Sequence, residues 1–484
     1  MALADIETIV IAIMENRSFD HMLGYLSLAD TPNPIALEGL QSDANWRSSF
    51  ANSSGTIAHE VRRLSPTQRI DDPPHNGAAI AIQIAKAPRG PGPTKMGGFV
   101  ESYVTRSKKP PADASAAMGY YDDKAVGTFD FFARNYCVCD HWFSALPLGT
   151  QANRLMAMAG ESRLVNNASL LLPEQPLVYD WLTKHKIPWC TYQSGGFLPF
   201  FALMGKWLPE MGTSLTLSNL GGRGRFRRYS RLRKEWKSTK KMPRVIFVEP
   251  DYGDGPSKTP NDDHPPTGVA PGQALLADLY ATLTSNPARW AKTLLIITYD
   301  EHGGFFDHVP PLPIETVIAG VKLETTGLRV PALLISPHVA AGSVFSGPLD
   351  HTSILQLLDD RFADGKGYSP AVNARQASLD RLSRALLAAA RKGPPPALPK
   401  AVAKAAAAAA AAQAPLATKS LAMAAAPVTA KPEVAADPNA VALDRAVRKL
   451  AHDHPELISQ PGWEEVRAYL ATHPAPLLEP AVTE

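Results

Sequence analysis

A run of apolar residues without alternation belongs inside a fold rather than on its surface, and this chain opens with one. Thr8, Ile9, Val10, Ile11, Ala12 and Ile13 are apolar or small and mostly β-branched, the pattern of a strand covered on both faces. Comparable runs recur at 187–193, 244–249, 293–299 and 330–336, with helix-like stretches such as 273–283 between them. Strand then helix, repeated, predicts an α/β fold: a three-layer core with a mainly parallel sheet between helices. Ligands in such sheets bind in the crevice beyond the carboxyl ends of the strands. The residues just after each run are therefore the ones to read for chemistry.

Two of those ends are acidic. Glu15 and Asn16 follow the first run and offer two hard oxygens on a rigid mount, which suits a divalent cation. The same pair also reads as a plain turn, since Asn tolerates the bend. Asp300 and Glu301 follow a second apolar run, and Gly303 and Gly304 then let the chain turn tightly. Adjacent carboxylates repel and call for a counter-charge, which a cation or solvent can supply. Two acid-rich turns at strand ends of one sheet tilt the balance toward metal. Oxygen donors favour a hard ion such as Ca²⁺ or Mg²⁺ over thiol-loving metals.

Three further segments carry chemistry-bearing side chains. Pro147 and Gly149 force a turn that leaves Thr150 at the mouth of a helix. There it serves either as a helix cap or as a hydroxyl facing free backbone N–H groups, sited to attack phosphorus. His75, after Asp72-Pro73-Pro74, enters another helix as a local cap or as a ligand to phosphate. Asn261-Asp262-Asp263-His264 lies in loop chemistry, and Asp350-His351 opens a helix as a cap and a packed ring.

Composition narrows the class. The chain has 484 residues, 45% hydrophobic and 20% charged, enough for a sizeable core, and a formal net charge of +3 is too mild to argue nucleic acid. Cys137, Cys139 and Cys190 make neither a disulfide framework nor a zinc site and read as buried thiols. The basic block 223–241 reads as a solvated helix face, with an anionic lipid surface as the alternative. No run reaches membrane-spanning length and no export signal precedes the first strand, so cytoplasmic residence is the default expectation. The organisation expected is a catalytic domain over 1–388, an Ala/Pro-rich linker over 389–438 and a helical segment over 439–484, which either docks on the core or binds a partner.

In order along the chain stand MENRSFDH (14–21), DPPH (72–75), GTQANR (149–154), NDDHPP (261–266), YDEHGGFFDHV (299–309) and DHTSIL (350–355). Together they resemble the bacterial phosphoesterase family that holds non-specific phospholipases C and certain acid phosphatases. The resemblance implies an alkaline-phosphatase-like core that hydrolyses phosphate esters, phospholipids foremost, with possible contact to a membrane surface. It implies a divalent metal held by Glu15, Asn16, Asp300, Glu301 and Thr150, with Thr150 as nucleophile. His264 and His75 would act at the phosphate, with Asn153 and His308 as substrate contacts. A broad acid phosphatase, or an idle lipid- or partner-binding protein, is the alternative reading.

Overall fold

The computed structural model describes residues 2–88, 90, 93–253, 260–412 and 437–473. The apolar runs form the centre of an eight-stranded sheet. In chain order its strands are β1 (Thr8–Met14), β2 (Cys137–Cys139), β3 (Trp189–Gln193), β4 (Phe226–Arg228), β5 (Val245–Glu249), β6 (Thr293–Tyr299), β7 (Ala332–Ile335) and β8 (Ser343–Phe345). The spatial order is β8-β2-β7-β6-β1-β5-β3-β4. Strands β1, β5 and β6, at the middle, are buried along almost their whole length, as unalternated strands must be.

The sheet is mainly parallel, as expected, with one exception. β7 pairs antiparallel with both β6 and β2, so it alone among these strands runs in reverse. An apolar run carries no mark of its direction, which depends on the connection that delivers it. Helices cover both faces, among them α1 (Gly77–Ala85), α2 (Gly127–Asn135), α3 (Thr150–Ala159), α4 (Leu208–Asn219), α5 (Ala270–Thr284) and α6 (Thr352–Phe362). All three cysteines are buried free thiols.

The basic block is in part the solvated helix face expected, with Arg233, Lys234 and Lys237 exposed on a helix over Leu232–Lys237. Its first part contributes β4 to the sheet edge. Arg223, Arg227 and Arg231 converge on the buried Glu235, at 3.8, 2.8 and 3.1 Å, and Arg233 pairs with Asp278. These arginines neutralise the buried Glu235 and Asp278.

The expected linker is also corrected. Within it, residues 400–412 form helix α7 (Lys400–Ala412), which packs on α5, and Pro396 O accepts a hydrogen bond from Tyr280 at 2.6 Å. Alanine is the strongest helix former, so an Ala-rich tract with one small face can lie on a core as readily as it can link domains. The rest of the linker, 413–436, falls outside the described residues.

Of the two roles left open for the C-terminal segment, the structure shows docking. α8 (Pro438–Asp453) buries Ala442, Ala446, Val447 and Leu450, the i, i+4, i+5, i+8 stripe of an amphipathic helix. Leu450 and Leu457 lie over Gly212 of α4, where a side chain would crowd them. Trp463, at the start of α9 (Glu464–Thr472), is fully buried, donates to Thr216 Oγ1 at 2.9 Å and lies under the Arg228 guanidinium. Among the described residues no helix is long and apolar enough to cross a membrane.

Trp463→Ala would leave a cavity between core and C-terminal segment. Its expected cost is about 3–5 kcal/mol of unfolding free energy, read from the urea midpoint; a change within about 0.5 kcal/mol, the size of an ordinary surface substitution, would mean that the segment is not docked in solution.

Candidate active site

β1 and β6 lie side by side, parallel, with Met14 opposite Tyr299. The residues leaving their carboxyl ends, Glu15-Asn16 and Asp300-Glu301, therefore emerge together. Backbone bonds lace the two turns: Asp300 N donates to Met14 O at 3.1 Å and Arg17 N to Glu301 O at 3.1 Å. Asn16 N donates to Asp300 Oδ1 at 3.1 Å, and Glu301 N to the same oxygen at 2.8 Å. Asn16 sits at φ +60°, a left-handed conformation that Asn accepts more easily than most residues. Gly303, at φ +65°, lies so close that a Cβ would strike the Asn16 carbonyl. The loop after β5 joins them, Glu15 N donating to Asp262 O at 2.9 Å.

α3 brings Thr150 to this corner. The cap position belongs to Gly149, with no side-chain cap bond, and Thr150 is the first helical residue. Its hydroxyl is buried and has no hydrogen-bond partner. One turn on, Arg154 reaches Glu15 Oε1 at 3.0 Å and stands 3.5 Å from Asp300 Oδ2. It also donates to the Tyr252 hydroxyl at 3.1 Å. Arg154 was not among the residues singled out from sequence, although it ends the same motif; its i+4 spacing from Thr150 was the available signal.

Four buried oxygens here accept and donate no hydrogen bond: Asn16 Oδ1, Thr150 Oγ1, Asp300 Oδ2 and Glu301 Oε1. Buried polar atoms are ordinarily satisfied, and a group of exceptions calls for a reason. Three buried carboxylates, of Glu15, Asp300 and Glu301, also outnumber the Arg154 guanidinium and the His75 ring that face them. The donor set, all oxygen and short of positive charge, fits a hard divalent cation. Burial pushes Asp300 up to about 6 in spite of Arg154. Burial also acts on Glu301, but His75, His302 and the Gly303 N–H outweigh it and hold Glu301 low.

His75 and His264 stand at the edge of the group, ring centres 6.0 Å apart. The cap of α1 is Asn76, not His75. Each ring gives its Nδ1–H to a carbonyl, Pro73 O at 2.8 Å and Pro265 O at 2.6 Å, which points chemistry to Nε2. His75 Nε2 lies 3.3 Å from Asn16 Nδ2. Burial lowers the His75 pKa, but Glu301 and Asp72 outweigh it and raise the ring to about 9. Asp72, His75 and His264 each bring a ligand atom within 4.8 Å of the others.

Two of the residues read as substrate contacts are placed elsewhere. Asn153 is buried with its amide turned on the preceding loop: Oδ1 accepts from Leu146 N at 2.9 Å and Nδ2 donates to Leu148 O at 2.7 Å. It shapes the turn that presents Thr150. His308 pairs with Asp20 at 2.6 Å and packs edge-on against Trp46 and Phe50. Asp20, Asp307 and His308 could by distance hold a metal, but Arg329, buried among them at 3.0 and 2.9 Å from the two acids, already supplies the positive charge. His351, read as a packed ring, does more: its Nε2–H donates to Asp300 O at 2.6 Å while Nδ1 accepts from Trp142 at 3.3 Å. Burial holds its pKa down at about 4.

Oxygen donors gathered beyond the strand ends of an α/β sheet mark the crevice where such sheets bind ligands. The chain belongs to the phosphoesterase family, whose model matches residues 6–363, and this makes it a phosphoric ester hydrolase. Non-specific phospholipase C3 of Arabidopsis thaliana is 32% identical over 381 residues, 74% of this chain and 69% of that one. Non-specific phospholipase C4 of the same plant is 32% identical over 71% of this chain and 64% of its own length. Phospholipase C A of Mycobacterium tuberculosis is 27% identical over 74% of this chain and 73% of its own. The match thus spans about two thirds of the plant relatives' length.

A neutral, buried His351 has a measurable signature. Between about 4 and its ordinary 6.5, the unfolded chain binds a proton that the folded one refuses. Stability that is present above pH 6.5 is therefore lost as pH falls toward 4, by up to about 3 kcal/mol. His351→Gln keeps a donor for Asp300 O without titrating, so the stability gap between wild type and variant narrows across that window. A constant gap in urea titrations at pH 7, 5.5 and 4.5 would show that the ring is not held neutral.

Proposed function

We propose that the protein hydrolyses phospholipid phosphodiesters in the manner of a phospholipase C, through a phosphothreonine at Thr150 and with a divalent cation held by Glu15, Asn16, Asp300, Glu301 and Thr150. The observation that carries the reading is the group of four buried, unbonded oxygens, one of them the hydroxyl at the first turn of α3.

Each residue has a task that its surroundings suit. The amino end of α3 turns its positive dipole toward the phosphate, its Gln151 N–H being taken by Asn167 Oδ1. His75, at about 9 and so protonated at neutral pH, adds a positive charge on the same side. A cation, when bound, supplies Lewis-acid stabilisation to the threonine oxygen and a phosphoryl oxygen. Thr150 loses its hydroxyl proton to solvent as the Oγ1–P bond forms, in line with the alcohol whose P–O bond breaks. His264, its Nδ1 fixed by Pro265 O, gives the leaving oxygen a proton from Nε2. Water then attacks phosphorus opposite Thr150 and returns a proton to His264, the Oγ1–P bond breaks, Oγ1 takes a proton from solvent, and the phosphate monoester leaves. Arg154 touches no reacting atom in this scheme; it holds Glu15 and Asp300 in place.

Two measurements test it. Thr150→Ala should lower kcat on p-nitrophenylphosphocholine by at least about 10³-fold, with an unchanged urea midpoint. Chelation should abolish turnover in wild type, and Ca²⁺ or Mg²⁺ should restore it. Retained turnover in Thr150→Ala rejects the nucleophile, and indifference to chelator rejects the metal. Faster hydrolysis of p-nitrophenyl phosphate than of the diester would instead make the protein a monoester phosphatase with the same site.

A further inference from the structure

Arg17 follows the two donors Glu15 and Asn16, yet the proposed reaction gives it no part. It is only 1% exposed. A guanidinium stays charged inside a protein, and burying a charge is costly unless it is paired. Among the described residues Arg17 makes no ion pair; its partners are two carbonyls, one imidazole and the face of a ring. An apolar side chain would fill the same space at lower cost, so the fork of donors needs an explanation.

The two carbonyls supply one. Arg17 Nε donates to Asp263 O at 2.9 Å, and Nη2, on the same edge of the guanidinium, donates to Thr267 O at 3.1 Å. Those residues flank His264, Pro265 and Pro266. Neither proline has an N–H, so the turn depends on donors brought to its carbonyls from elsewhere. Thr267 N, donating to His264 O at 2.9 Å, closes it. Behind the guanidinium, His21 Nδ1–H donates to Gly119 O at 2.7 Å, which leaves Nε2 to accept from Arg17 Nη1 at 3.1 Å. Burial, with the Arg17 charge, holds His21 well below its ordinary pKa and so neutral. Phe305 lies under the guanidinium at 4.8 Å and stacks on His21 at 3.9 Å. With its back fixed by His21 and its face by Phe305, the free edge of the fork holds the turn in one place.

We propose that Arg17 is a positioning residue for His264, bracketing its turn so that the ring is held where it can protonate the leaving oxygen. The inference rests on the reading of His264 as the acid and adds to it what keeps that acid in place. Arg17 itself touches no reacting atom. Arg17→Lys keeps the charge but replaces the planar fork by a compact ammonium, so the bracket across both carbonyls is lost. Phe305→Leu keeps the fork and loosens its seat.

The experiment compares kcat/KM on phenylphosphocholine with kcat/KM on p-nitrophenylphosphocholine. Nitrophenolate departs without help, whereas phenolate, the stronger base, needs a proton as it leaves. Arg17→Lys should lose about 100-fold on the phenyl ester and less than about threefold on the nitrophenyl ester, and Phe305→Leu should show the same bias at about tenfold. Equal losses on the two esters in both variants would overturn the proposal. A second readout does not use the reaction. With isotope-labelled histidine, the His264 Nδ1–H signal, assigned by its loss in His264→Gln, should exchange with water at least about tenfold faster in both variants. An unchanged exchange rate in both would overturn the proposal as well. If His264→Gln itself loses equally on the two esters, the reading of His264 as the acid fails, and the exchange rate alone then decides whether Arg17 holds the turn.

Discussion

Three carboxylates withdrawn from water around one arginine are the constraint on which the rest of this corner depends. Removing a carboxylate from solvent is costly unless an opposite charge or fixed donors replace the water. Glu15 has Arg154, Asp300 has Arg154 at longer range and two backbone N–H groups, and Glu301 has the Gly303 N–H and the imidazoles of His302 and His75. The compensation is uneven. Asp300 is still pushed up to about 6, while Glu301 is held low. An arrangement that meets only part of the charge leaves the remainder for a cation, and this is why the same residues read as a binding group rather than as a closed salt bridge.

Bringing those acids together is the work of backbone geometry. Parallel pairing of β1 with β6 in register makes their two following turns neighbours, and the left-handed Asn16 lets the first turn fold over the second. Gly303 and Gly304, at φ +65° and +72°, admit the Asn16 carbonyl on one side and the Pro73-Pro74 backbone on the other. Those two glycines thus join three segments that are far apart in sequence. Asp263, also left-handed, is held between Tyr299 Oη at 2.5 Å and the close approach of Gly272 at the start of α5. Its carboxyl, pushed up to about 7 by burial, ties the loop carrying His264 to the strand carrying Asp300.

The legible parts of the chain were those where residue type and position share one cause. Buried strands must be apolar, so 8–13 and 293–299 declared themselves, and acids at strand ends declared the donors. Direction was not legible at 332–335, because reversing a strand leaves its composition unchanged. Phe226–Arg228 was hidden for a different reason: its arginines are satisfied by Glu235 and by carbonyls such as Phe197 O, partners that no local pattern reveals. Asn153 and His308 were noticed for their chemistry, yet a side chain's partner decides its role. Asn153 shapes a loop and His308 completes an ion-pair network, whereas Arg154, passed over, holds two of the donors.

The fate of the basic block bears on how an anionic substrate is recognised. Arg223, Arg227 and Arg231 face Glu235, Arg225 stands 3.6 Å from Glu210, and Arg233 pairs with Asp278. Glu235 alone faces three of these arginines, and Lys234, Lys237, Lys240 and Lys241 stand exposed besides, so the block keeps an excess of positive charge whose field fades over a Debye length of roughly 8–10 Å. Attraction at close range arises within the crevice, from the positive end of the α3 dipole, from His75 and from a cation of the kind the oxygen donors suit. Such forces act over a few ångströms and act on the phosphate alone. Discrimination among phosphate esters then falls to the shape of the walls.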